Sequence, residues 1–172
     1  MGAKTPWKVR DKIRDFEKVR QKFDKFGQEK LDQINRDSPV EVEIIFSEPP
    51  NVKGVRGKDL YGLTCKTKCG APKKGPTRIY INTEKIRNEG PEKVTLNEVL
   101  AHEGSHLLRG EDWDDDSPKP NEGESYLDSL RMRSNEGVPT GPEWWKAHPE
   151  AEKAKDSNFL LNEHYKVRLT PK

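Results

Sequence analysis

Apolar residues near the start of the chain recur at intervals of three and four: Val9, Ile13, Phe16, Val19, Phe23 and Phe26, with Lys, Arg, Asp and Glu between them. That period predicts an amphipathic helix, with Gly27 as a candidate break. Residues 1–36 are therefore read as a helical extension whose apolar stripe packs on its own domain rather than on a membrane or a partner. The period then changes. Residues 40–46 alternate and are rich in β-branched side chains, which predicts a strand closed by Pro49 and Pro50. Residues 50–77 are crowded with Gly, Lys and Pro and read as loops around a short strand near Leu63 and Thr64. Residues 78–82 predict another strand.

Helical spacing returns with Leu96, Val99, Leu100, Leu107 and Leu108. Thr95 and Glu98 have the spacing of a capping box, and Gly110 is placed to stop the helix. Inside it lies His102-Glu103-Gly104-Ser105-His106. Histidines four apart share one helix face, so both imidazoles can reach one metal ion, and the glutamate beside the first can act as a base toward water. Gly104 costs roughly 1 kcal/mol against alanine in a helix, and its small size leaves space beside a metal. The competing account is a surface helix with two incidental histidines.

A zinc site of this kind needs a third ligand. Glu124 and Asp128, four apart in the segment that follows, share a face on a further helix. Glu124 can ligate, and Asp128 can accept the other N–H of a ligating histidine. Glu122 and Asp112 compete with Glu124, and Glu124 alternatively serves only as a helix cap after Asn121. On these residues the chain resembles the gluzincin metallopeptidases, which carry HExxH followed by ExxxD on a second helix. The resemblance covers about a fifth of the chain. It implies zinc held by His102, His106 and Glu124, with Glu103 as general base and Asp128 orienting His102. It further implies an α+β, zincin-like fold: a small twisted sheet over the HExxH helix and a second helix, with the strand at 78–82 as the substrate-pairing edge of the cleft. The metzincin pattern, which would use Asp112, fits less well, because Arg109 stands where that group has glycine. In zincins a His, Tyr or Arg opposite the metal stabilises the oxyanion; His164 and Tyr165 are the candidates here, with His148 nearby in sequence. The run Asp112, Asp114, Asp115, Asp116 lacks the spacing of a calcium loop and reads as solvated.

Composition narrows the rest. With 172 residues, 30% of them apolar and 36% charged, the chain suits one compact catalytic unit, 37–172, carrying the 1–36 extension. Its net charge of +2 comes from mixed Lys/Arg and Asp/Glu, so no nucleic-acid partner is implied. No segment is long and apolar enough for stable membrane insertion, and no secretory leader is recognisable. Cys65 and Cys69 lie in a loop-like stretch, where a disulfide suits an exported protein and free thiols the cytosol; the loop favours the disulfide. The AHEGSH helix in a small, highly charged domain also resembles the metallopeptidase domains of bacterial polymorphic toxins, including the Rhs type. That resemblance implies an effector secreted or delivered into a target cell, a protein substrate there, and a cognate immunity protein. Two other functions compete with endopeptidase activity: an inactive zincin-like binding module and a zinc hydrolase of a non-peptide bond.

Overall fold

The computed structural model describes residues 10–52, 54–66, 69, 75–111 and 122–155. Asp112, His164 and Tyr165 lie outside the described residues. The elements are α1 (Phe16–Arg20), α2 (Lys25–Asp37), β1 (Val42–Ile45), β2 (Gly62–Cys65), β3 (Thr77–Ile81), α3 (Thr83–Glu89), α4 (Leu96–Leu108), α5 (Glu122–Glu136), α6 (Pro142–Ala147) and α7 (Pro149–Lys155). A short 3₁₀ turn at Gly57–Asp59 precedes β2. The fold is α+β. Among the described residues no helix is long and apolar enough to cross a membrane.

The sheet has the order β1-β3-β2, with β1 parallel and β2 antiparallel to β3. Leu63 pairs with Tyr80 and Thr64 with Ile79. The strand expected to be the cleft edge is therefore the central one, and β2 lies at the edge instead. The reason is topological: β3 carries both the parallel ladder from β1 and the antiparallel ladder from β2, and its main chain is used on both sides.

The N-terminal periodicity is not one helix. Ile13 is extended and bridges to Val42, Asp15 has a left-handed φ of 52°, and only a short α1 follows. Asp24 then starts α2 afresh, its side chain accepting from the amides of Phe26 and Gly27. Gly27 sits in the first turn of α2, where it lets the helix approach α4: a Cβ there would stand 2.4 Å from Asn97 Oδ1. Ile13, Val19 and Phe23 belong to the main core with Leu31 and Ile34 of α2, Val42 and Ile44 of β1, Ile79 and Ile81 of β3, and Val99 and Leu100 of α4. The residues read as a helical extension do pack on their own domain and form part of its principal core, but their apolar spacing serves three short segments instead of one continuous helix.

Both ends of α4 match their signals. Thr95 and Glu98 form the reciprocal capping box. At the other end Gly110 takes a φ of 72°, its N–H bonds the Leu107 carbonyl, and the Glu111 N–H bonds that of His106, the pattern of a Schellman stop. Glu98 is almost wholly buried. It accepts from the Thr95 amide at 2.7 Å, Arg133 Nη1 of α5 at 2.7 Å and Trp144 Nε1 of α6 at 2.7 Å. Burial raises its carboxyl to about 7, against the pull of those donors. One carboxylate therefore fixes α5 and α6 to the turn of α4 immediately before His102.

Candidate metal centre

His102 and His106 project from one face of α4 toward the first turn of α5. His102 Nε2 lies 3.4 Å from Glu122 Oε2, and His106 Nε2 lies 3.0 Å from Glu122 Oε1. Two imidazole nitrogens and a carboxylate, all within 4.8 Å of one another, form a group that can hold a metal ion. Among the described residues it is Glu122, not the expected Glu124, that joins the histidines. The cause is helical phase. Glu122 opens α5, and two positions along a helix is a rotation of roughly 200°, which carries Glu124 away from the face that Glu122 shares with Ser125, Tyr126 and Ser129. That face is clamped onto α4 by buried Ser125, Ser129 and Arg133.

Asp128 turns away for the same reason and pairs with Arg131 at 3.4 Å. The rest of the histidine support comes from residues the sequence reading did not single out. Ser129 Oγ lies 3.4 Å from His102 Nδ1 and donates to the Ser125 carbonyl at 3.2 Å, so it is free to accept the His102 N–H. His106 Nδ1–H donates to Glu111 Oε1 at 3.0 Å, and Ser125 Oγ lies 3.2 Å from the same nitrogen. These contacts hold the Nδ1 side of each ring and turn both Nε2 atoms toward Glu122, where His106 Nε2–H donates to Oε1 and a bound metal ion would take that proton's place. Arg109 ties the outer layer together through Ser105 Oγ, Glu111 Oε1 at 2.9 Å and Ser125 Oγ at 2.8 Å. Glu111 was legible in principle: a glycine stop at 110 folds the next residue back over the last turn. Ser125 and Ser129 follow Glu122 at helical spacing of three and seven.

Electrostatics follow from this crowding of acids. Burial lowers the His106 pKa, but the Glu122 hydrogen bond, the charges of Glu103 and Glu122 and the Glu111 bond outweigh it and raise it to about 9. Burial likewise opposes ionisation of Glu122, yet the two histidines hold its carboxyl well below the usual range. Three carboxylates around two imidazoles favour a cation at their centre. Two imidazole nitrogens and one carboxylate oxygen are a donor set that could hold a transition-metal ion.

Glu103 is buried beside the first histidine, and its Oε1 accepts from Thr64 Oγ1 of β2 at 2.8 Å. Gly104 does not open space at the metal site; it faces α2, where a Cβ would stand 2.6 Å from Ile34 Cδ1. The site opens into a cavity of about 570 Å³ walled by Val52, Leu60, Leu63, Tyr61, Tyr126 and His148 as well as the site residues. The Tyr126 ring lies 4.6 Å from that of His102, and burial raises its pKa, so the phenol stays protonated. His148 stacks on Trp144 at 4.2 Å, and its Nδ1–H donates to the Trp144 carbonyl at 2.7 Å. Burial depresses its pKa to about 4, which keeps it neutral. Cys65 and Cys69 are joined in a disulfide at the end of β2, with a Cα separation of 6.2 Å.

No family model, curated protein or solved structure matches this chain.

Proposed function

We propose that this chain is a zinc-dependent endopeptidase of zincin-like architecture. The observation that carries the proposal is the convergence of His102 Nε2, His106 Nε2 and the Glu122 carboxylate, all within 4.8 Å of one another, in a largely apolar cavity that Glu103 also lines. His102, His106 and Glu122 would hold the ion. Zinc, when bound, supplies Lewis acidity for polarising a scissile carbonyl. Glu103 takes the proton of the attacking water and delivers it to the leaving amine. Its burial and its place next to His102 suit a base that must act at short range. Tyr126, kept as a neutral phenol with its ring 4.6 Å from that of His102, is the O–H donor proposed to meet the developing oxyanion. His148, neutral and donating through Nδ1, offers only an acceptor at Nε2. Gly62, Leu63 and Thr64 line the cavity along β2, so an extended substrate would add to that edge by main-chain hydrogen bonds. On the toxin resemblance, the substrate is a protein of the cell into which the domain is delivered, and an immunity protein would act by covering this cavity.

The test is metal analysis joined to hydrolysis. The chain should bind about one zinc, and His102→Ala/His106→Ala should lose it. Glu103→Gln should keep zinc and lose at least about a hundredfold in turnover, the range of a lost general base. Full zinc occupancy in the double histidine variant would refute the site. Undiminished hydrolysis by Glu103→Gln would refute the base.

A further inference from the structure

The strand β2 runs unusually close to the HExxH helix. A Cβ at Gly62 would stand 2.8 Å from Val99 Cγ1 and 2.9 Å from Glu103 Cγ, so only glycine permits this approach. Side chains alternate along a strand, and Thr64, two residues on, faces the same helix. Its hydroxyl is buried and lies 2.8 Å from Glu103 Oε1 and 3.0 Å from the Glu103 carbonyl oxygen. One hydroxyl thus spans the side chain and the main chain of a single residue.

We infer that Thr64 is a positioning residue for Glu103: its hydroxyl fixes the carboxylate through Oε1 and leaves the other oxygen for the attacking water. The inference rests on the hydrolytic reading above only for its effect on rate; the geometric effect stands by itself. A glutamate has three side-chain torsions, and a buried one with no hydrogen-bond donor would sample several orientations beside the metal ligands. Thr64 removes that freedom from the sheet side. Its own position is fixed by the β2–β3 ladder, in which it pairs with Ile79, and by the disulfide at the next residue, Cys65. Rigid support of this kind is what places a reacting group to within fractions of an ångström.

Thr64→Val keeps the branched shape and removes the hydroxyl, Thr64→Ser keeps the hydroxyl, and Thr64→Ala repeats the deletion if the valine variant fails to fold. Each is prepared with zinc, assayed on dye-labelled casein and crystallised beside the wild type. All should hold equal zinc. In Thr64→Val, kcat should fall roughly ten- to hundredfold with KM little changed, the penalty of a misplaced reacting group. Thr64→Ser should recover most of that loss. The crystal structures should show the Glu103 carboxylate displaced or in several orientations in Thr64→Val and restored in Thr64→Ser. An unmoved, singly oriented Glu103 in both deletion variants overturns the inference whether or not casein is cleaved. So does unchanged kcat in Thr64→Val with an active wild type. A zinc-loaded wild type that cleaves nothing counts against the hydrolytic reading, and the crystallographic comparison still decides the role of Thr64.

Discussion

Replacing Gly104 by alanine sets two opposing energies against each other in the middle of the HExxH helix. Glycine in a helix interior costs about 1 kcal/mol relative to alanine, so the backbone alone favours the change. The new methyl, however, would stand 2.6 Å from Ile34 Cδ1 and 3.2 Å from Ile34 Cγ1. Ile34 is fully buried and cannot swing aside into solvent. Overpacking of a closed core costs about 1–3 kcal/mol. The net expectation is a loss of about 1 kcal/mol, with unchanged stability as the mildest outcome allowed by these ranges. Ile34→Val removes Cδ1, the atom in closest conflict, and alone costs about 0.5–1.5 kcal/mol. In the double variant the alanine methyl occupies the space that Cδ1 vacates. The two changes should therefore couple favourably by about 1 kcal/mol or more, since residues in direct contact are not additive. Urea unfolding of the four proteins measures the cycle. Strict additivity, or a Gly104→Ala protein more stable than wild type by the full propensity gain, would show that α4 does not pack on α2 through this glycine. Zinc stoichiometry should be unaffected, because the methyl points to the core and not to the histidines.

The remaining expectations concern the site and its supports. Glu122→Gln should weaken zinc binding far more than Glu124→Gln, measured by titration against a chromophoric chelator; the reverse order would restore the ligand first read from the ExxxD spacing. Ser129→Ala and Glu111→Gln should each cost roughly 10–100-fold in metal affinity by loosening a histidine from its outer hydrogen bond, and equal affinity in both would mean those contacts do not orient the rings. Arg133→Met should destabilise the fold by about 3–5 kcal/mol, because it strips a buried carboxylate of its charged partner, whereas Arg133→Met with Glu98→Gln should recover part of that loss in thermal unfolding. For His148 the folded pKa of about 4 lies below the ordinary 6.5, so its contribution is fully present above pH 6.5 and is lost as pH falls toward 4. At pH 5 that loss is about 2 kcal/mol, and the unfolding free energy of His148→Phe should fall less steeply with acid than that of the wild type; parallel curves would show that His148 is not buried in the neutral form.

The helix carrying His102, Glu103 and His106 could be read from local rules alone, because its period, capping box and glycine stop are all set within a few residues of one another. The short strands were legible for the same reason, since alternation needs only neighbours. Three features were settled by tertiary packing. Ile13, Val19 and Phe23 have a helical period, yet one pairs with β1 and the others sit on separate turns, because contacts with the sheet and α4 outweigh a marginal local helix. The cleft edge is β2 and not the strand before the HExxH helix, a matter of strand order that no local pattern encodes. The third member of the metal cluster depends on the phase of α5 about its axis. Both Glu122 and Glu124 have the right chemistry, and spacing to Asp128 favoured one of them. The choice is made by Ser125, Ser129, Leu130 and Arg133, whose burial against α4 and α6 turns Glu122 toward the histidines and leaves Asp128 to Arg131. Sequence supplies the donor types and their spacing along each helix; the rotation of one helix against another is an energy of the whole core, and it selects which donor arrives.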